Sequence, residues 1–358
     1  MQTFVKFRAD NITLPSRTPW GGYRISQEIK HHPEIRALRH VVGESWEFST
    51  DPMLPSREEG TDVLLKDLLE AAPDTWLSRE HIRFWGIKTP LLVKLIDAAL
   101  DLSLQLHPPL YAESHEPGMS GKWEAWYVVS AAPDAGIYIG LERGVSLESF
   151  ENALHAESDL RPFLNFYKVT PGEMYVIPPG TIHALGAGVC VVEPQVMQPG
   201  KHGLTFRLHD WNRRYDDEGN LCNAGHSRPI HVTQGLQWID PHLNDHDTIE
   251  ASLRLKPHIF IEDAHLQCIA LTEKPFIHAT IVRGTGEIHP SLPGELTSLT
   301  VIRGKMRIVI GNQDYTLSGG ESGAIAASVS EVMLQCQDAE VFFAHCCPCD
   351  LSQPHVEF

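Results

Sequence analysis

Gln105 and His107 stand two apart in the run SLQLHPP, Glu124 lies in GKWEAWYV, and His183 closes YVIPPGTIH. Residues two apart on a strand face the same side, so Gln105 and His107 share a face wherever that run is extended. Glu124 on a neighbouring strand adds a carboxylate, and His183 a second imidazole. Two imidazoles, one carboxylate and one amide oxygen suit zinc or another divalent first-row ion, with a position left open for water or substrate. Taken singly, each of these residues reads as a hydrogen-bonded core residue. The four together, in one module, read as a metal site.

Strands must position such a set, and the surrounding sequence supplies them. PLLVKLIDA (90–98), LSLQLHP, WEAWYVVSA and GIYIGL are β-branched and aromatic runs bounded by Gly and Pro. SLESFENALHAESDLRPFL reads as an inserted helix, after which NFYKVT, MYVIP, GVCVVEPQV and LTFRLHDW resume the strands. Upstream, Thr61 is placed to cap a helix running to about Ala72, where Pro73 stops the apolar face. Residues 241–258, rich in His, Asp and Pro, read as a linker with a short helix. Beyond them LTVIRGKMRIVIGNQDYTL carries a Gly311–Asn312 hairpin turn. Many short strands with regular turns predict an all-β dominated chain with a few inserted helices, built as jelly-roll β-sandwiches.

At 358 residues the chain is long enough for two domains, and 42% hydrophobic residues give ample core. A formal net charge of -17 argues against nucleic acid or an anionic membrane as partner. A locally positive pocket for an anionic small molecule remains compatible with it. MQTFVKFRADNITLP lacks the apolar stretch of a signal peptide, and no run approaches a membrane span. Seven cysteines without framework spacing suit a reducing compartment. The expectation is a cytoplasmic protein. The terminal HCCPCD, with Cys346, Cys347 and Cys349, lacks a second Cys pair at zinc-finger spacing and reads as structural or redox-sensitive.

GEMYVIPPGTIH (172–183) finds an echo of equal length in GESGAIAASVSE (320–331), each after a Gly-containing turn. In the second copy Ala326 replaces the turn proline, Ser328 the glycine and Glu331 the histidine. The first copy fits the second signature motif of the cupin superfamily, which ends on a metal-binding His. Two cupin modules are therefore expected. Residues 1–240 would hold an N-terminal segment and the metal-binding catalytic module, and 241–358 a degenerate module without metal ligands.

From Trp20 to about His231 the sequence resembles the mannose-6-phosphate isomerase family in its short cupin-type bacterial form. PWGGYR, GESWEFS and PLLVKLIDA look like its landmarks, LSLQLHPP like its Gln-x-His-Pro signature, GKWEAWYV like its Lys-x-Glu segment, and VIPPGTIHALGAG like its His loop. VVEPQ and RLHDWNR resemble the stretch that closes the site. The resemblance implies one zinc ion per chain on Gln105, His107, Glu124 and His183, with a catalytic arginine at Arg207. The sequence departs from the family at Pro109 and at MQPGKHG (197–203), both in loops expected to border the substrate.

The implied reaction interconverts mannose 6-phosphate and fructose 6-phosphate through an enediol(ate). A metal there would act as Lewis acid, and Arg207 would stabilise developing charge on oxygen; the bland alternative for Arg207 is a surface pair with Asp210. Lys122 shares the face of Glu124 and would reach substrate. A metal-bound hydroxide, Lys122, Glu193 or a histidine could each move the proton. Ser103 and Lys94 could hold the phosphate, unless Lys94 is a buried partner of Asp97; Lys201 and His202 are a further cationic option. Two other readings stay open: another metal-dependent cupin enzyme, such as a dioxygenase, and a sugar-binding regulatory cupin that has lost turnover.

Overall fold

A computed structural model describes residues 2–112, 117–262, 265–274 and 276–347. Cys349 lies outside these, while Cys346 is buried and Cys347 half-buried.

Three large antiparallel sheets dominate the described residues. The first orders Arg254–Leu255, Met174–Ile177, Lys122–Ala131, Val189–Met197, Leu91–Ala98 and Glu44–Phe48. The second orders Phe206–His209, Leu104–Leu106, His183–Leu185, Gly136–Leu141 and Leu164–Lys168. The third is built on the long strands Ile277–Ile288, Thr297–Ile310 and Met333–His345. The Gly311–Asn312 turn joins Thr297–Ile310 to Gln313–Ser318 with Ile310 opposite Gln313, as the sequence predicts.

Alternation along the central strands of the six-stranded sheet decides what faces the site. Leu91, Val93 and Leu95, Trp123, Ala125 and Tyr127, and Cys190, Val192 and Val196 join one apolar cluster with residues of the third sheet such as Val301 and Phe342. Trp123 meets Phe276 at 4.7 Å between ring centres, and Tyr127 meets Phe342 at 5.8 Å. The opposite face carries Ile96, Val128 and Val191, which pack against Ile137, Ile139 and Leu185 of the five-stranded sheet. Each such buried aliphatic side chain contributes roughly 1.5–3 kcal/mol. The outer face of the five-stranded sheet is closed by the helix Leu147–His155, through Phe150 and Leu154. Ser146 caps that helix by accepting from the Ser149 N–H.

The two repeat segments form matching strands, Met174–Ile177 and Ser322–Ile325, each starting two residues after its glycine. Glu331, which stands where the first copy has His183, is exposed. Two short strands cross the expected boundary: Phe4–Lys6 pairs with Ser322–Ile325 in the third sheet, and Arg254–Leu255 pairs with Met174–Ile177 in the first.

One expectation fails locally. Thr61 does not cap the following helix, because its hydroxyl donates to Glu58 and the chain turns through Asp62 at φ 63°. The helix starts at Leu65 and ends at Ala71, with no side-chain cap. No described helix is long and apolar enough to cross a membrane.

Candidate metal centre and substrate cavity

The strand registers bring the four ligand-type residues together. His183 pairs directly opposite Gln105, and Gln105 opposite Arg207 across the five-stranded sheet. Glu124 sits on the facing sheet opposite Gln195. His107, Glu124 and His183 are fully buried and offer ligand atoms that all lie within 4.8 Å of one another.

Two close approaches of backbone shape this centre. A Cβ on Gly121, next to Lys122, would lie 1.9 Å from the Pro108 carbonyl oxygen, so only glycine lets the His-Pro-Pro turn lie against the Glu124 strand. Gly180, in the turn before His183, has φ +85° and would place a Cβ 2.8 Å from the Trp238 carbonyl oxygen. Its N–H donates to the His107 carbonyl at 2.7 Å, tying the two histidine loops together.

Both imidazoles are held in one tautomer. His107 Nδ1 donates to the Leu204 carbonyl at 3.1 Å, and His183 Nδ1 to the Thr181 carbonyl at 2.8 Å. Each Nε2 therefore presents a lone pair. Neither Nε2 has a hydrogen-bond partner, nor does Glu124 Oε2, although all three are buried. His107 Nε2 lies 3.1 Å from Glu124 Oε1, and His183 Nε2 lies 3.5 Å from Oε2. Acceptors facing acceptors in a dry interior cost free energy unless a cation joins them. These residues therefore fit a divalent metal.

Electrostatics agree. Burial pushes the His107 imidazole down to about 3 and lowers that of His183, so both are neutral at pH 7. Burial opposes a charge on Glu124, yet the carboxyl is held well below its ordinary range, with the Lys122 ammonium among the causes. Lys122 Nζ stands 2.8 Å from Glu124 Oε1.

A cavity of about 300 Å³ opens beside the cluster. Gln105, Glu124, Ser103, Lys94, Lys122, Glu193 and Arg207 all line it. Burial, then the nearby Glu124 charge, pushes Glu193 up to about 7. Glu193 accepts from Trp126 Nε1 at 2.9 Å and from Gln195 Nε2 at 2.7 Å. Arg207 is lowered to about 10 by burial and the neighbouring Arg228.

Two sequence-level alternatives are overturned. Lys94 does not pair with Asp97, because residues three apart on a strand point to opposite faces. Its Nζ instead stands 3.5 Å from Glu193 and 3.9 Å from Glu44, while Asp97 receives Arg24. Arg207 does not pair with Asp210, whose carboxylate is taken by Arg213 and Arg228. His202 lines the cavity with Nδ1 2.8 Å from Asp51, whereas Lys201 lines a small separate hollow.

Several cavity residues carry no motif of their own. Arg17 and Arg228 line it, as do Glu44 and Trp46 from GESWEFS, the one signal that pointed toward them. Lys94 Nζ lies 5.1 Å above the Trp46 ring. Asn244, inside the stretch read as linker, clamps the His183 turn: it accepts from the Ile182 N–H and donates to the Gly180 and Asp240 carbonyls.

No family model matches the chain. Among curated proteins it is 28% identical over 337 residues to the mannose-6-phosphate isomerase of Streptococcus mutans serotype c, covering 92% of this chain and 95% of the other. It is 27% identical over 322 residues to mannose-6-phosphate isomerase ManA of Bacillus subtilis, covering 88% and 92%. Among solved structures, the mannose 6-phosphate isomerase from Bacillus subtilis superposes with a TM-score of 0.73 at 22% identity, over 96% of this chain and all of that one. A mannose 6-phosphate isomerase bound with zinc and yttrium superposes with a TM-score of 0.66 at 15% identity, over 96% and 99%. The chain is thus similar in sequence to curated mannose-6-phosphate isomerases over about nine-tenths of its length, and similar in fold to the solved ones over nearly all of it.

Proposed function

We propose that the protein is a zinc-dependent aldose–ketose isomerase of the cytoplasm, interconverting mannose 6-phosphate and fructose 6-phosphate through an enediol(ate). The observation that carries this reading is the set of orphaned, buried ligand atoms on His107, Glu124 and His183 at the wall of a cavity lined by arginines, lysines and acids. Gln105, opposite His183, completes the ligand set. The named activity of the relatives and the zinc in one solved neighbour support it.

Zinc held there would polarise the sugar's oxygens as a Lewis acid. Arg207 brings a fixed positive charge next to Gln105, and its buried Nε lacks a partner, so it is free to donate to an enediolate oxygen. Lys122 and Glu193 face the same cavity as proton carriers; a carboxyl near 7 suits proton transfer at neutral pH. Ser103 and Lys94 line it and orient the substrate, Lys94 acting with Glu193 and Glu44 rather than as an isolated cation.

We further propose that residues 1–240 form the catalytic unit and 241–358 a second cupin without metal ligands, apart from the two short strands exchanged between their sheets and from Asn244, Ile249 and Leu253, which pack on the first unit. The exposed Glu331 at the position of His183 supports this.

A coupled assay for fructose 6-phosphate formed from mannose 6-phosphate, with metal content measured on the same sample, tests the function. Turnover lost on chelation and restored by zinc is expected. Full zinc occupancy without turnover would move the reading to another sugar phosphate or to binding alone.

A further inference from the structure

Gln195 lies on Val189–Met197 directly opposite Glu124, with its side chain buried on the cavity face. Its amide nitrogen donates to Glu124 Oε1 and, at 2.7 Å, to Glu193 Oε2. An amide NH2 has two hydrogens, and here each goes to a different carboxylate. A neutral double donor thus separates two buried acids that would otherwise face one another across adjacent strands.

The consequence for Glu124 is directional. Its Oε1 receives Gln195 and Lys122, while its Oε2 receives no donor and lies 3.5 Å from His183 Nε2. A partial turn of the carboxylate would break both contacts to Oε1. Lys122 alone could follow such a rotation, because its stem is flexible. Gln195 is anchored from behind: Glu193, its second acceptor, is fixed by Trp126 Nε1 at 2.9 Å. A rigid relay therefore runs Trp126–Glu193–Gln195–Glu124.

We propose that Gln195 is a positioning residue of the metal centre, holding Glu124 so that Oε1 stays beside His107 and Oε2 beside His183. It acts through Glu124, and the inference rests on the metal site proposed above. Hydrogen-bond partners of metal ligands commonly set affinity by about 10- to 100-fold.

The test is zinc affinity of the apo protein, by competition with a chromophoric chelator, for wild type, Gln195→Met and Gln195→Asn. Methionine keeps the volume and removes both donors. Asparagine keeps the donors but is too short to span both carboxylates, and it serves if the methionine variant does not fold. Tyr127→Phe, on the opposite face of the Glu124 strand, controls for general loosening. Zinc binding weakened about 10- to 100-fold in either Gln195 variant, near wild type in Tyr127→Phe, and a kcat recovered at saturating zinc are expected. Wild-type zinc affinity in a folded Gln195 variant would overturn the proposal. So would a kcat still depressed at full zinc occupancy, which would mean that Gln195 acts on substrate directly. A wild-type protein that binds no divalent metal would instead sink the metal-site reading itself.

Discussion

At the scale of residues, Arg207 is a guanidinium held at the cavity without an acidic partner. Its Nη1 is spent on the Pro229 carbonyl at 2.7 Å, which fixes the guanidinium, while its buried Nε has no partner. The nearest acid in sequence, Asp210, is occupied by two other arginines. A charge held in place without an internal counter-ion is available to developing negative charge in the cavity. Arg207→Lys keeps the charge but loses the fixed fork, and loss of one such donor costs about 10²- to 10³-fold in kcat. Steady-state kinetics on a zinc-loaded sample should show that loss with metal content unchanged. A kcat within a factor of about two of wild type would remove Arg207 from the chemistry. The ligand types and their spacing were readable in advance because metals demand particular donors. Gln195 was not, since a glutamine on a strand looks the same whether it bridges two carboxylates or merely fills a hydrogen bond.

At the scale of elements, the three central strands of the six-stranded sheet are mostly apolar, and their charged residues fall on one parity except Asp97, which meets Arg24 on the other face. Lys94, Lys122, Glu124 and Glu193, which the sequence offered as site residues, line the cavity together with Gln195, which it did not. Which partner each would meet was not legible, because that depends on register between strands distant in sequence. The same holds for Asn244: a polar, His- and Asp-rich stretch reads as linker until its fold over the Gly180 turn is seen. Its side chain satisfies the Ile182 N–H and the Gly180 carbonyl on either side of the His183 turn. Asn244→Leu strands those groups in a buried place, at roughly 1–3 kcal/mol for each. We expect a lower Tm together with zinc affinity weakened at least about 10-fold, read by calorimetry and chelator competition. A lower Tm with unchanged zinc affinity would make the clamp a stabilising feature only.

For the whole molecule, the third sheet backs the six-stranded one, and the contact is not purely apolar. Tyr127, three residues beyond Glu124 and on the opposite face, donates to Glu340 Oε1 at 2.6 Å. Arg283 donates to the Tyr127 hydroxyl at 2.7 Å and lies 3.1 Å from Glu340, and Arg303 Nε donates to Glu340 Oε2 at 2.9 Å. Burial works to raise the Glu340 carboxyl, but Tyr127, Arg303 and Arg283 outweigh it and leave it below its ordinary value. A carboxyl depressed in the folded state stabilises that state fully above its unfolded value of about 4.3, and the contribution fades as pH falls through the folded value. Glu340→Gln should therefore lower unfolding free energy by about 1–3 kcal/mol at neutral pH. The gap from wild type should shrink as the pH is taken well below ~4. Urea unfolding at the two pH values measures both. An unchanged stability at neutral pH would mean that the desolvation of these charges cancels their attraction, as buried ion pairs can do. The join between the two sheets would then rest on Trp123, Phe276, Tyr127, Phe342 and their apolar neighbours alone.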